Sequence, residues 1–127
     1  MEIVLKARSR DPDSLNQAYK MRISCSYGLE RFWGEHLRLA DKEIAKAAFI
    51  VDVWKCFVSV IRQARPDLPL PATMLSKNAD EELIQSMAQQ LWSIDIQDQQ
   101  ACIAVLTGLC DSVVWWVQRL KGARGAN

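Results

Sequence analysis

The sequence contains little glycine, proline and histidine, and these shortages exclude several classes of protein. Its 127 residues include five glycines, four prolines and one histidine. So little glycine and proline excludes a collagen-like or low-complexity chain. The single histidine, His36, cannot complete a zinc site of the Cys/His type. No phosphate-binding glycine loop, GxSxG elbow or HExxH motif occurs, so common enzyme signatures are missing.

Patterns typical of β-structure are also scarce, and the composition is that of a globular domain. No Asn-Gly or Asp-Gly hairpin turn occurs, and the only short β-like run is Glu2–Ala7. Half of the residues are hydrophobic and 24% are charged, which argues against disorder. The length suits one domain with its own core, so we predict a single all-α domain.

The four cysteines lack the spacing of a metal site or a redox motif. None forms a CxxC pair, and each lies in an apolar stretch: Cys25, Cys56, Cys102 and Cys110. We predict small buried side chains in a reducing cytoplasm, with a disulfide between two of them as the less favoured alternative. Neither a metal nor a cofactor is predicted.

No secretory signal or membrane span is expected. Met1–Arg10 lacks the apolar segment of a signal peptide. Ala101–Val117 is apolar but short for a span, and Asp111 within it is costly in lipid. We therefore predict a cytoplasmic protein in which this segment is a helix buried in the domain.

Periodicity and capping residues predict four helices. The first begins at Asp11-Pro12 and ends between Leu29 and Trp33, near Gly28 and Gly34. A 3-4 apolar spacing predicts a second helix over 37–61, which ends before Pro66. Asn78 and Glu81 form a capping box for the third, and the fourth runs from Asp95–Asp98 to Gly122. A short turn over 73–77 is a possible fifth element.

These elements predict an antiparallel bundle of four to five helices. Residues 1–10 are expected to form an extended basic arm, and Pro-rich residues 65–72 a stiff connector. Residues 122–127 form a tail. The single histidine, His36, is expected on the surface or at a helix start.

Charge is divided unevenly along the chain. Residues 1–65 hold twelve basic and eight acidic residues, a net of +4, and residues 66–127 have a net of −3. Nine basic residues of the front half are candidate phosphate contacts: Lys6, Arg8, Arg10, Lys20, Arg22, Arg31, Arg38, Lys42 and Lys46. In an extended arm the first three point to one side, and on one helix the last three form a stripe.

These basic residues also have a plainer interpretation as a solvated helix face. Glu35, Asp41 and Glu43 are close enough in sequence to pair with the stripe. Tyr19, Tyr27, Phe32 and Trp33 lie among the charges, where exposed rings could stack on unpaired bases. The helical spacing of Tyr19 and Trp33 with Leu15 and Leu29 favours core positions for these aromatic rings instead.

The last predicted helix carries a candidate protein interface. Ala104, Gly108 and Ser112 recur every four residues and allow close approach of another helix. Trp115 and Trp116 lie about 100° apart on a helix, so both cannot enter one narrow core. We predict that one packs inside and that the other meets a wide core or a partner. A helix break at Gly108 is the alternative.

The chain resembles the small subunits of CRISPR effector complexes, including those of type I-D systems. The resemblance is carried by the length, the helical class, the Arg38/Lys42/Lys46 stripe, the Lys6/Arg8/Arg10 arm and the connector before the third helix. It implies a non-enzymatic subunit whose copies line up along the complex. Such copies contact neighbouring subunits and hold guide RNA or displaced DNA through phosphates.

The predicted function is therefore that of a helical nucleoprotein subunit. Its partners are other subunits and single-stranded DNA or RNA, with self-association as a further option. The main alternative is a protein-protein adaptor without nucleic-acid binding. A helix-turn-helix regulator is less favoured because base-reading residues are not evident. An enzyme or small-ligand carrier with a pocket in the bundle is less favoured because no converging polar set is evident.

Overall fold

The computed structural model describes residues 1–71 and 80–125, and within those residues it contains helices and turns but no strand. The all-α prediction is confirmed for this part of the chain. Six α-helices occur there: α1 (Glu2–Arg10), α2 (Gln17–Ser24), α3 (Leu29–Leu39), α4 (Ile44–Ala64), α5 (Glu81–Trp92) and α6 (Ile96–Gly125). Two 3₁₀ turns, Pro12–Asn16 and Cys25–Tyr27, flank α2.

The predicted extended arm is wrong, because residues 2–10 form α1. Val4 and Ala7 are buried three residues apart, which is a helical spacing, and α1 packs against α4. This burial overrides the β-preference of Ile3 and Val4. Consequently Lys6, Arg8 and Arg10 do not share the single direction that an extended arm would give them.

The first predicted helix is divided by Gly28. Asp11 accepts a hydrogen bond from the Asp13 amide at 3.0 Å and Pro12 follows it, as the sequence indicated. Gly28 has φ 101° and ψ 170°, a conformation open almost only to glycine. This residue separates the turn after α2 from α3, whereas Gly34 lies inside α3.

The second predicted helix is also two helices. α3 ends at Leu39 and α4 begins at Ile44, with a turn over 40–43 between them. The turn allows α3 and α4 to pack together, so the Phe32 and Trp54 ring centroids are 6.1 Å apart. The 3-4 spacing of apolar residues in the sequence continues across this turn. It placed Ile44 on the buried side of one helix, but Ile44 is 72% exposed.

The core centres on α4, which packs against α1, α2, α3 and α6. Its buried rings include Phe49, Trp54 and Phe57, so this helix is buried on more than one side. His36 is also buried, on α3, and its Nδ1 hydrogen-bonds the Trp33 carbonyl oxygen. Its predicted surface position is wrong, because the ring packs edge-on against Trp33 at 5.3 Å.

The connector after α4 is held to the core. Leu70 and Pro71 are buried, and Trp54 Nε1 donates to the Pro71 carbonyl oxygen at 2.8 Å. Arg65 pairs with Asp67 at 2.8 Å and with Asp98 of α6 at 2.9 Å. The segment is thus ordered by specific contacts through residue 71, and the predicted residue 72 lies outside the described residues.

The ends of α5 and α6 differ from the predicted ones. α5 begins at Glu81, where Asp80 accepts a hydrogen bond from the Glu82 amide. The predicted cap Asn78 and the predicted turn over 73–77 lie outside the described residues. α6 continues through Gly108 without a break and passes Gly122 to end at Gly125. The predicted stop at Gly122 is therefore wrong, and 126–127 are outside the described residues.

The sixth helix, α6, is less buried than the sequence predicted. Ile96–Leu120 is the one stretch of the described residues that is long and apolar enough to cross a membrane, by length and composition. Only 28% of its most apolar window is buried. Cys102, Leu106, Cys110 and Val117 face the core, and the opposite side is open.

Candidate nucleic-acid and protein interfaces

A shallow groove forms where α2 and α3 lie on either side of Gly28. We call it the Tyr27 groove, and it offers about 400 Å³ of open space. Its lining consists of Lys20, Ile23, Ser24, Tyr27, Arg31, Glu35 and Arg38. Three of the nine candidate phosphate contacts therefore meet on one surface, with one carboxylate among them.

Tyr27 and Arg31 form the centre of the Tyr27 groove. The Tyr27 side chain is 63% exposed, and the Arg31 guanidinium carbon lies 5.0 Å from the centre of its ring. A ring and a guanidinium in this arrangement present two flat surfaces to solvent, on which unpaired bases stack. The core position predicted for Tyr27 is thus wrong, as it is for Tyr19, whereas Phe32 and Trp33 are buried.

The cations of the groove differ in their pairing. Arg38 donates to both carboxylate oxygens of Glu35, with Nη2 to Oε2 at 2.9 Å. This hydrogen bonding raises the pKa of Arg38. No ion pair forms on Lys20 or Arg31 within 1–71 and 80–125. These two side chains are the ones best placed to meet an added anion.

The Arg38/Lys42/Lys46 stripe does not exist as predicted. Arg38 is on α3, Lys42 is in the turn and Lys46 is on α4. Lys46 donates to Glu43 at 2.9 Å, and this contact is the main reason that the pKa of Glu43 is lowered. Lys42 and Lys46 share a second groove with Asp11, Asp13 and Glu43, whose carboxylates outnumber the amines. The solvated-face interpretation describes this corner better than a phosphate track.

The remaining candidate cations are spread over other surfaces. Arg10 pairs with Asp52 at 2.8 Å and links α1 to α4, and Arg22 pairs with Asp111 at 2.6 Å and links α2 to α6. The hydrogen bond that Arg22 donates to Asp111 raises the pKa of Arg22. Lys6 and Arg8 lie on α1, away from the lining of the Tyr27 groove.

The candidate protein interface forms one open side of α6. Ala104, Gly108, Ser112 and Trp115 are all exposed, and we call this surface the α6 face. Trp115 is 47% exposed, with the Arg119 guanidinium carbon 4.5 Å from its ring centre. Trp116 packs against the core, so the predicted division of the two tryptophans is observed. Trp92, the last residue of α5, and Ile96, the first of α6, are each 69% exposed. They were not predicted to lie on an interface, because helical spacing does not show which residues at helix ends the neighbouring helices leave uncovered.

The described residues contain no group of three or more metal-ligating side chains, and the partly open pocket beside Gly28 is small. The pocket lies between 27–30 and 91–99 and holds about 40 Å³, room for a water-sized group. Small-molecule sites are roughly 300–1,000 Å³. The Tyr27 groove and the α6 face are accordingly the two surfaces that carry functional arguments. No family model, curated protein or solved structure matches this chain.

Proposed function

We propose that this chain is a non-enzymatic helical subunit of a cytoplasmic nucleoprotein complex, similar to the small subunits of CRISPR effectors. In this proposal its helices form an antiparallel bundle that braces neighbouring subunits. The Tyr27 groove holds single-stranded DNA or RNA through phosphates and base stacking. One observation supports the proposal most directly: Lys20, Arg31 and Arg38 line the same groove as the exposed Tyr27 ring.

The chemistry of the Tyr27 groove suits a single strand better than a duplex. Unpaired bases expose their faces, and an exposed tyrosine stacks on any of them, so binding depends little on sequence. Lys20 and Arg31 supply charge for the phosphates. With one carboxylate beside three cations, the attraction is modest and salt-sensitive, as expected for a subunit that adds its contacts to those of its neighbours.

The test is fluorescence anisotropy with labelled single-stranded DNA and RNA at about 50 and 200 mM salt, a range over which phosphate-driven binding weakens steeply. The test variant is Lys20→Gln/Arg31→Gln. The matched control is Lys55→Gln/Arg62→Gln, which removes the same charge from exposed positions of α4.

The groove variant should bind far more weakly than the control. Its plot of log K against log salt should be flatter by about 1.4, because each phosphate contact on a single strand contributes about 0.7. Equal losses in both variants, or no binding by the unmodified chain at the lower salt, would contradict the proposal.

A second candidate is a protein-protein adaptor, and the exposed α6 face favours it. Small side chains at 104, 108 and 112 beside the half-exposed Trp115 allow a partner helix to approach closely. Light scattering over a wide concentration range tests the self-associating form. Gly108→Leu should disperse an oligomer, whereas Gly34→Leu on α3 should not. A monomer at every concentration would exclude self-association.

A further inference from the structure

Two cysteines far apart in sequence meet inside the molecule. Cys25 begins the turn after α2, and Cys110 lies in the middle of α6. Their sulfur atoms are 3.6 Å apart across 85 residues of sequence, and each residue is 1% exposed. Cys56 and Cys102, by contrast, have no hydrogen bond to another cysteine among the described residues.

The surroundings of the two thiols hold them opposite each other. The Cys25 thiol also donates to the Met21 carbonyl oxygen of the preceding helix, α2, at 3.4 Å. Arg22 and Asp111, which are three and one residues from the cysteines, form the 2.6 Å ion pair that joins α2 to α6. The same two helices are therefore aligned at the cysteine pair and at the ion pair.

We propose that Cys25 and Cys110 form a reversible disulfide when the protein meets a hydroperoxide. A disulfide needs a sulfur–sulfur distance of about 2.0 Å, so closure from the present separation requires only a small movement of the side chains. The inference does not depend on the proposed function, because it rests on the two sulfur atoms alone.

The reaction balances with one hydroperoxide per pair. The Cys25 thiolate attacks the peroxide oxygen, the O–O bond breaks, and the leaving hydroxide or alkoxide takes up a proton to become water or an alcohol. The Cys110 sulfur then attacks the Cys25 sulfenic acid, the S–O bond breaks, and the oxygen leaves as water with the Cys110 proton. Two thiols are oxidised, the peroxide is reduced, and a dithiol reductant reverses the change.

The two cysteines have different roles in these steps. The hydrogen bond shared with Cys110, together with Thr107 and the charge of Arg22, lowers the pKa of Cys25. The hydrogen bond to Cys25 and burial raise the pKa of Cys110. Cys25 is the attacking thiol and Cys110 the resolving thiol in this scheme, and the disulfide that forms is the same in either order.

The disulfide would connect the two candidate interfaces. Cys25 directly follows Ser24 and lies two residues before Tyr27, both of which line the Tyr27 groove. Cys110 lies between Gly108 and Ser112 of the α6 face but points to the core. Oxidation therefore fixes one surface relative to the other.

The experiment uses two variants that each keep one pair of cysteines. Cys56→Ala/Cys102→Ala retains Cys25 and Cys110, and Cys25→Ala/Cys110→Ala retains the control pair. Each folded protein is treated with hydrogen peroxide, and remaining thiols are alkylated after denaturation. Intact mass, peptide mapping and thermal unfolding are then measured, with and without a dithiol reductant.

The first variant should lose two hydrogens in mass, resist alkylation and show a Cys25–Cys110 linked peptide. Its melting temperature should rise by about 5–10 °C and return on reduction, because the link closes a long loop in the unfolded chain. The control pair should remain alkylatable. The proposal is wrong if the folded first variant forms no intramolecular disulfide, or if the control pair forms one as readily.

Discussion

At the scale of single residues, Gly28 determines how the Tyr27 groove forms. Its φ of 101° and ψ of 170° place it in a region that other residues enter at a cost of about 1–3 kcal/mol. An added Cβ there would meet nothing within 4 Å, so the cost is conformational and not steric. The groove thus depends on one backbone geometry.

Gly28→Ala should lower the free energy of unfolding by about 1–3 kcal/mol. The matched control is Gly34→Ala, which is helical and equally free of contacts, and which should raise stability by up to about 1 kcal/mol. Urea denaturation of both variants measures the difference. Equal effects of the two substitutions would mean that Gly28 does not need its special conformation.

Gln17 shows the cost of a polar atom in the core. Its side chain is 2% exposed, and its Oε1 has no hydrogen-bond partner among the described residues. Gln17→Met should therefore raise the free energy of unfolding by about 1 kcal/mol, because the desolvated oxygen is removed at similar volume. Gln85→Met on the exposed side of α5 is the control and should change stability by less than about 0.5 kcal/mol. A loss of stability in Gln17→Met would show that this oxygen is satisfied.

At the scale of elements, the sequence predicted helices well where burial and periodicity agree. The body of α4, the Asp11-Pro12 start and the end before Pro66 follow from local pattern and proline geometry. The same pattern joined α3 to α4, because no glycine or proline marks the turn at 40–43. That turn is fixed by contacts far apart in sequence, such as Phe32 against Trp54.

The candidate nucleic-acid site was predicted only in part, because local sequence pattern does not show which residues the turns bring together. Lys20, Arg31 and Arg38 were recognised as candidates, but their grouping with Tyr27 requires the turn at Gly28. The grouping of Arg38 with Lys42 and Lys46 assumed one continuous helix, which the turn at 40–43 removes. The sequence therefore identified the basic residues of the Tyr27 groove but not the surface that they share.

The sixth helix gives a test at this scale. Gly108 lies inside α6, its added Cβ would meet nothing within 4 Å, and the helix passes it unbroken. Gly108→Ala should raise the free energy of unfolding of the monomer by about 1 kcal/mol. Chemical denaturation at low protein concentration checks this value. A loss of stability would indicate a helix break at this position.

At the scale of the whole molecule, the buried His36 makes stability depend on pH. Burial lowers the pKa of His36 below its usual value of 6.5, so the folded protein holds the ring neutral. The unfolded chain takes up the proton first as pH falls. The stability that neutral His36 contributes is therefore present above pH 6.5 and is lost as pH falls below it, by up to about 1.4 kcal/mol per pH unit.

Urea denaturation between pH 7 and pH 5 measures this dependence. In His36→Gln, whose amide can still donate to the Trp33 carbonyl oxygen, the decrease between pH 6.5 and 5 should be smaller. All other titratable groups are the same in the two proteins, so the difference between their curves measures the contribution of His36. Parallel curves for the two proteins would show that His36 is not the group responsible.

The distribution of the core also bears on how the chain folds as it is synthesised. Of the 25 buried hydrophobic residues described, 19 lie in the first 71 positions, including every buried aromatic ring. The emerging chain thus holds most of its hydrophobic core before α6 leaves the ribosome. Cys25 has no Cys110 to face until α6 has been synthesised, so α6 is the helix that completes the thiol pair.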